Sequence, residues 1–460
     1  MGLRRAGHDP RPLGGRLRQG DLVLHPPRAW PPPDLRARHG PRRDRADRRG
    51  PAMIARGLLL AIAIALGAGG AAEAFERGIN VNPWFTKPRA QKPGSKPVVF
   101  ADPAYPAYTA ESYRADLEKI AAAGFDFIRV PISPGPFLPM DPDKRRAAFA
   151  NIRTVLETAR AQGLDIMLNI HAGSTVSYAA IAADEGLREQ YIASLLDLIA
   201  VMGDLGFEHV LFETINEPSS VCDDPVWPIF QRQILEAVAA ASDEARMVVT
   251  GSCWSAIDGF VLLDPAELPL DPERLYYTFH YYSPYVFTHQ GNSWSGDPGN
   301  RVVTGLAWPA ARGDLESARA RILEVAPKTE GYARFGEAAT RQALDLADRY
   351  YASNAGPDFI ATDFDRVADW ARAHDIPADR IILSEFGVLK RERKWQGADI
   401  DSAARWVGAV RQAAEARGMP WAMWSYDEGM ALTVADRDIR WHGELVEALG
   451  LKSPEAEPIP

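Results

Sequence analysis

Two glutamates in this 460-residue sequence each stand at the end of an apolar run. Glu217 follows the apolar start of "VLFETINEPSS" (210–220) and is flanked by Asn216 and Pro218. Glu385 follows Ile381, Ile382 and Leu383 in "IILSEFG" (381–387). A core strand that finishes on an acid beside a proline either runs into a solvated turn or holds the acid at the rim of a cleft. Two carboxylates facing one cleft suit cleavage of a glycosidic bond. One must be protonated, so that the leaving oxygen does not depart as an alkoxide, and the other ionised, to attack or stabilise an oxocarbenium-like centre. Burial and mutual repulsion raise one pKa, while a neighbouring cation keeps the other group charged. Arg129, inside the run "FDFIRVPI" (125–132), is the available cation.

Glutamates about 170 residues apart meet only if the fold brings strand ends together. From Phe75 onward, strand-like runs alternate with helix-like segments. The strand runs are 77–82, 125–132, 164–170, 209–215, 246–251, 274–282, 380–387 and 420–427. Between them lie segments with helical period at 111–124, 144–163, 185–204, 226–242 and 401–417, most ending in Gly or a polar turn. Strand–helix alternation with short connections predicts parallel βαβ units, and eight strands predict a closed (β/α)8 barrel. An open doubly wound sheet would want a G-x-G-x-x-G turn after its first strand, and none follows. One connection is out of scale: nearly a hundred residues separate Tyr282 from Ile381, with helical segments at 314–325, 337–352 and 363–374. A loop of that length on a barrel's active face reads as a lid or a substrate wall.

In such a barrel the loops at the C-terminal strand ends make the cleft. Those ends read, in order, Arg129; Asn169 and His171; Asn216 and Glu217; the approach to Trp254; His280 and Tyr282; Glu385; and Trp424. Trp84, Trp254 and Trp294 are further candidates for stacking on a sugar, although aromatics fill cores equally well.

The N-terminus has another character. Residues 1–52 are rich in Arg, Pro and Gly with no apolar period, which predicts disorder. Met53 to Ala74 then holds a start residue, Arg56, a ten-residue apolar run and a small-x-small ending at Ala72-Glu73-Ala74. That is the pattern of a secretory signal peptide, too short to span a bilayer comfortably, and it predicts export. If Met53 is the start, residues 1–52 are not part of the protein. The catalytic domain is therefore expected over 75–460. Those residues carry 55 Asp+Glu against 38 Lys+Arg. So acidic a chain is a poor partner for nucleic acid or anionic lipid, and suits a neutral substrate. Cys222 and Cys253 could be bonded after export or remain two half-buried thiols. Neither has zinc-ligand spacing, there is no H-x-H, and no metal or other cofactor is expected.

The motifs together resemble glycoside hydrolase family 5, the cellulase-type (β/α)8 family. "RGINVNPWF" resembles its first strand, "IRVP" its second-strand arginine and "NEP" its acid/base motif at strand four. "HYY" is similar to its His-x-Tyr at strand six, "SEFG" to the nucleophile motif at strand seven and "MWSY" to the strand-eight tryptophan. The resemblance implies Glu217 as acid/base and Glu385 as nucleophile of a retaining hydrolase. Asn216 would hold the sugar 2-hydroxyl, His171 and Arg129 would shape the subsite, His280 and Tyr282 would tune the carboxylates, and Trp424 would stack under the sugar. A β-linked oligo- or polysaccharide is the implied substrate. An endo-β-1,4-glucanase is the first expectation, with β-mannan or exo-acting β-1,3-glucan cleavage behind it. A carbohydrate-binding barrel without catalysis is the reading from another class. At strand three the cellulase subgroup often shows Asp-x-His, where this chain has Asn169-Ile170-His171.

Overall fold

A computed structural model describes residues 75–453, apart from 93–97, 107–108, 174, 295–296, 330, 392–395 and 435–439. The segments 1–52 and 53–74, read above as a disordered extension and a signal peptide, lie outside the described residues.

Among the described residues, eight parallel strands close into one barrel. They are β1 (Arg77–Asn80), β2 (Phe127–Ile132), β3 (Asp165–Ile170), β4 (Val210–Glu213), β5 (Arg246–Thr250), β6 (Leu275–His280), β7 (Ile381–Glu385) and β8 (Trp421–Met423). Closure comes from β1 against β8, with Gly78 opposite Ala422. Helices connect successive strands, among them Ala110–Ala123, Pro142–Ala161, Glu185–Met202, Val226–Ala241 and Ile400–Glu415. Their starts are set by side-chain caps where one is available: Thr109 accepts from Ser112 N–H, Asp184 from Leu187 N–H, and Asp399 from Ser402 N–H.

Strand alternation divides the interior from the outside. Ile128, Val130, Phe212, Val249, Phe279 and Leu383 face outward into the large core shared with the helices. Phe127, Met167, Leu211, Val248, Tyr276, Ile382 and Ala422 form a separate inner cluster, with Phe75 among them. Gly78 lies in this layer because a Cβ there would sit 2.3 Å from the Phe127 ring. Two residues further along each strand the interior turns polar. Asn80, Arg129, Asn169, Glu213, Thr250, Thr278 and Ser384 are all fully buried. All but Asn169 pair within the layer: the Thr278 hydroxyl donates to Ser384 Oγ (2.6 Å), and Asn80 Nδ2 donates to the Ser384 carbonyl (2.8 Å).

The long connection runs from 281 to 380 and packs on the barrel through helices Leu315–Val325, Tyr332–Ser353 and Pro357–Ala373. The middle helix is broken at Gly336 (φ 60°, ψ −153°). The last begins six residues before the predicted 363, at a Pro in its first turn, which suits a helix start. Among the described residues no helix is long and apolar enough to cross a membrane.

Candidate active site

The polar layer continues upward into a cluster of charged groups at the C-terminal mouth. Arg129 organises it. Its Nε and Nη2 donate to the two carboxylate oxygens of Glu213 (2.9 and 3.1 Å), and Nη2 also reaches Asn216 Oδ1 (2.9 Å). Nη1 donates to Glu385 Oε1 (2.5 Å) and Asn80 Oδ1 (2.8 Å). The guanidinium is fully buried, so it cannot touch a substrate directly. It acts by holding Glu385, the role expected of the available cation; what changes is the expectation that it also lines a sugar subsite.

Both glutamates reach the mouth through local irregularities. On β7, Ser384 points into the barrel, and simple alternation would turn Glu385 away from it. The pairing with β6 shifts by one residue between Phe279↔Leu383 and His280↔Glu385, which re-aims Glu385 to the mouth. Glu217 sits beyond the end of β4 with φ 44°, a left-handed conformation uncommon outside glycine. Gly387 permits a close approach of two chain segments, since a Cβ there would lie 2.1 Å from the Trp424 carbonyl.

A carboxylate oxygen of Glu217, one of Glu385 and a ring nitrogen of His280 lie within 4.8 Å of one another. His280 Nδ1 is 3.0 Å from Glu217 Oε1 and 3.5 Å from Glu385 Oε2. The Tyr282 hydroxyl donates to Glu385 Oε2 (3.0 Å). Glu385 is thus held by two donors, a cation and a phenol, while Glu217 meets only the imidazole among these groups. Burial raises the Glu217 pKa from 4.5 to about 7, with Arg129 opposing more weakly. Burial raises Glu385 as well, against the charges of His280 and Arg129 and the Arg129 hydrogen bond. His280 is pushed down by burial first, which favours the neutral ring. Burial, then the Glu385 and Glu217 charges, push the Tyr282 phenol well up, so it stays a donor. The three acidic and imidazole donors are close enough to meet at one cation, but a guanidinium already occupies Glu385 and a protonated Glu217 is a poor ligand.

The remaining predicted residues divide. His171 stacks on Trp424 (ring centroids 5.6 Å apart, 15° between planes), and its Nδ1 lies 3.1 Å from Asn169 Oδ1. Trp254 and Trp294 are 47% and 53% exposed, as a stacking platform needs to be. Trp84 is a correction: at 3% exposure it stacks on Tyr113 (3.8 Å) with its edge to Tyr426, so it is a core aromatic with no face for a ligand. Cys222 and Cys253 are joined as a disulfide.

Three residues of the site escaped the sequence reading. Glu213 is the buried partner of Arg129. Its signal was an acid at an inward-facing position of an apolar strand, two residues after Leu211. Tyr285 and His289 lie in the long connection, stacked at 4.0 Å, with His289 edge-on to Tyr282 and Trp294. Burial drops the His289 pKa to about 3, so this ring is a neutral wall beside the acids.

Comparison with known proteins agrees with this geometry. Endoglucanase C of Acetivibrio thermocellus is 25% identical over 233 residues, 48% of this chain and 61% of that protein. Cellodextrinase A of Ruminococcus flavefaciens is 25% identical over 194 residues, 41% of this chain and 56% of that one. The chain thus spans about 61% of the length of the first of these relatives. Among solved structures, Cel5A of Thermotoga maritima with cellobiose superposes with a TM-score of 0.55 at 21% identity, covering 82% of this chain and 97% of that one. The cellulose synthase subunit Z of Clostridioides difficile gives 0.55 at 20% identity, covering 82% and 99%. At such identities the superpositions speak for the barrel fold. The sequence profile described as cellulase (glycosyl hydrolase family 5) matches residues 94–429, so the chain belongs to glycosyl hydrolase family 5.

Proposed function

We propose that this chain is an exported retaining glycosidase that cleaves internal β-1,4-glucan linkages. The observation that carries the chemistry is the Glu217–Glu385 pair, with carboxylate oxygens within 4.8 Å of each other and unlike surroundings. A gap of about 5–5.5 Å between carboxyls goes with retention, and a wider one, with room for a water, goes with inversion. Arg129 and Tyr282 stabilise the charged form of Glu385, so it attacks the anomeric carbon. Burial keeps Glu217 protonated up to about pH 7, so it gives its proton to the leaving oxygen. Once the leaving group has gone, the same carboxylate takes a proton from the water that releases the sugar from Glu385. Proton NMR of the first product formed is expected to show the β anomer; an α anomer would sink retention.

The endoglucanases among the relatives support the choice of β-1,4-glucan. Export is supported by the leader-like pattern at 53–74 and by the Cys222–Cys253 bond, which persists in oxidising compartments. Incubation with cellulose, mixed β-glucan and β-mannan, followed by product sizing, tests the substrate. Long oligosaccharides appearing early from cellulosic chains are expected, whereas release of single sugars or preference for mannan would replace this reading. N-terminal sequencing of the exported protein should begin at Phe75.

A further inference from the structure

Eight non-glycine residues among those described have left-handed φ, and five of them lie on two loops. Glu217 (44°) and Ser219 (55°) follow β4; Cys253 (63°), Trp254 (55°) and Ser255 (58°) follow β5. Conformations of this kind persist only where the surroundings over-determine them. Neither loop has a strand or helix of its own at these positions, so the constraint comes from links between them. The Cys222–Cys253 bond joins the loops covalently. Beside it, the Trp254 N–H donates to the Ser219 carbonyl (2.8 Å) and the Ser252 hydroxyl to the Cys222 carbonyl (2.7 Å). A Cβ on Gly259 would lie 2.1 Å from the Ser252 carbonyl, so the β5 loop is also packed from behind.

Both ends of this linked pair of loops touch the chemistry. The β4 loop carries Glu217 itself. The β5 loop accepts the His280 backbone N–H at the Ser255 carbonyl (2.8 Å), immediately behind the ring that meets Glu217 at 3.0 Å. The Cys222–Cys253 bond and the Trp254–Ser219 hydrogen bond beside it therefore close a circuit running from Glu217 through the two loops and Ser255 to His280. We propose that the Cys222–Cys253 disulfide is a positioning element of the acid/base, setting the Glu217–His280 contact, and not merely a staple on the fold. Opening the bond frees the β4 loop to swing Glu217 toward water while β7, which carries Glu385, keeps its ladder. The loss then falls on proton donation and spares nucleophilic attack. This rests on Glu217 being the acid/base.

That asymmetry makes the proposal testable by leaving group. The exported protein is reduced with a phosphine, and a Cys222→Ser/Cys253→Ser variant is prepared in parallel. For each, kcat/KM is measured on a cello-oligosaccharide, whose alcohol needs a proton to leave, and on dinitrophenyl β-cellobioside, whose phenolate does not. Circular dichroism follows the fold. Opening the bond is expected to cost about 10-fold or more on the oligosaccharide and less than about 2-fold on the aryl glycoside. The basic limb of the oligosaccharide pH profile should also move down, as a hydrated Glu217 loses its proton earlier. Equal losses on both substrates, whether the protein stays folded or unfolds, would overturn the proposal, and so would no loss on either. Glu217→Gln in the oxidised protein separates the two questions: it should lose about 10²–10⁴-fold on the oligosaccharide alone. Without that split, the acid/base reading itself fails, whatever the disulfide does.

Discussion

Two layers of the barrel interior differ by two residues along each strand and by nearly everything else. The floor is Phe127, Met167, Leu211, Val248, Tyr276, Ile382 and Ala422. One pleat up, the same strands present Arg129, Asn169, Glu213, Thr250, Thr278, Ser384 and Trp424, and all but the tryptophan are polar and buried. The floor can be apolar because nothing there must be charged. The layer above must keep a carboxylate ionised out of water, and it does so by the hydrogen bonds that Arg129 donates to Glu213 and Glu385. Stability and chemistry are stacked on the same eight strands, and the change from one to the other occurs within about 7 Å of strand rise.

The sharpest break of this division is Glu385→Ala. Removing the proposed nucleophile should lower kcat by on the order of 10⁴-fold or more, measured on β-glucan, while the melting curve stays cooperative. Arg129→Met comes next, since it strands the Glu213 and Glu385 carboxylates in the interior. A loss of about 3–5 kcal/mol in denaturant unfolding is expected. The acid limb of the pH–rate profile should also rise, because Glu385 loses the cation that favours its charged form. On the floor, Leu211→Ala should cost about 2–5 kcal/mol of stability with kcat nearly unchanged. A large fall in kcat there would show that the layers are not separable. The smallest effect is Glu217→Gln on stability. Folding raises the Glu217 pKa from 4.5 to about 7, so its destabilising effect is absent below the unfolded value and grows as pH rises through the folded one. The amide should therefore melt higher than wild type at about pH 8 and equally at about pH 4.

The barrel and its two glutamates were legible because strand runs, Gly stops and acids at strand ends are local signals. The runs overshoot the ladders, however: 209–215 contains β4 at Val210–Glu213, and 420–427 contains β8 at Trp421–Met423. The extra residues are buried for a different reason. They leave the sheet and continue into the mouth, where Ile215 and Tyr426 still pack against protein. The one-residue shift that aims Glu385 was invisible, since it depends on which residue of β6 each residue of β7 meets. Glu213 was hidden by its neighbours: an acid in an apolar strand has meaning only once Arg129, 84 positions earlier, is known to lie beside it. Trp84 failed in the opposite direction. Its type and position suggested a platform, and only the covering rings of Tyr113 and Tyr426 show that it is core.

Sharing Arg129 between Glu213 and Glu385 has a consequence over a full turnover. Before attack, two carboxylates and one guanidinium leave the interior with one net negative charge. In the proposed mechanism, esterifying Glu385 to the sugar passes that charge to Glu217, which has given up its proton, and Arg129 remains paired with Glu213 as a neutral, bidentate couple. With Glu213 absent, the covalent intermediate would face a buried, unpaired cation, which is costly in a low-dielectric site. Glu213 thus fixes the electrostatic state in which the glycosyl-enzyme would wait for water: the cation is neutralised where it lies, and the negative charge rests on Glu217, the group that must take the water's proton.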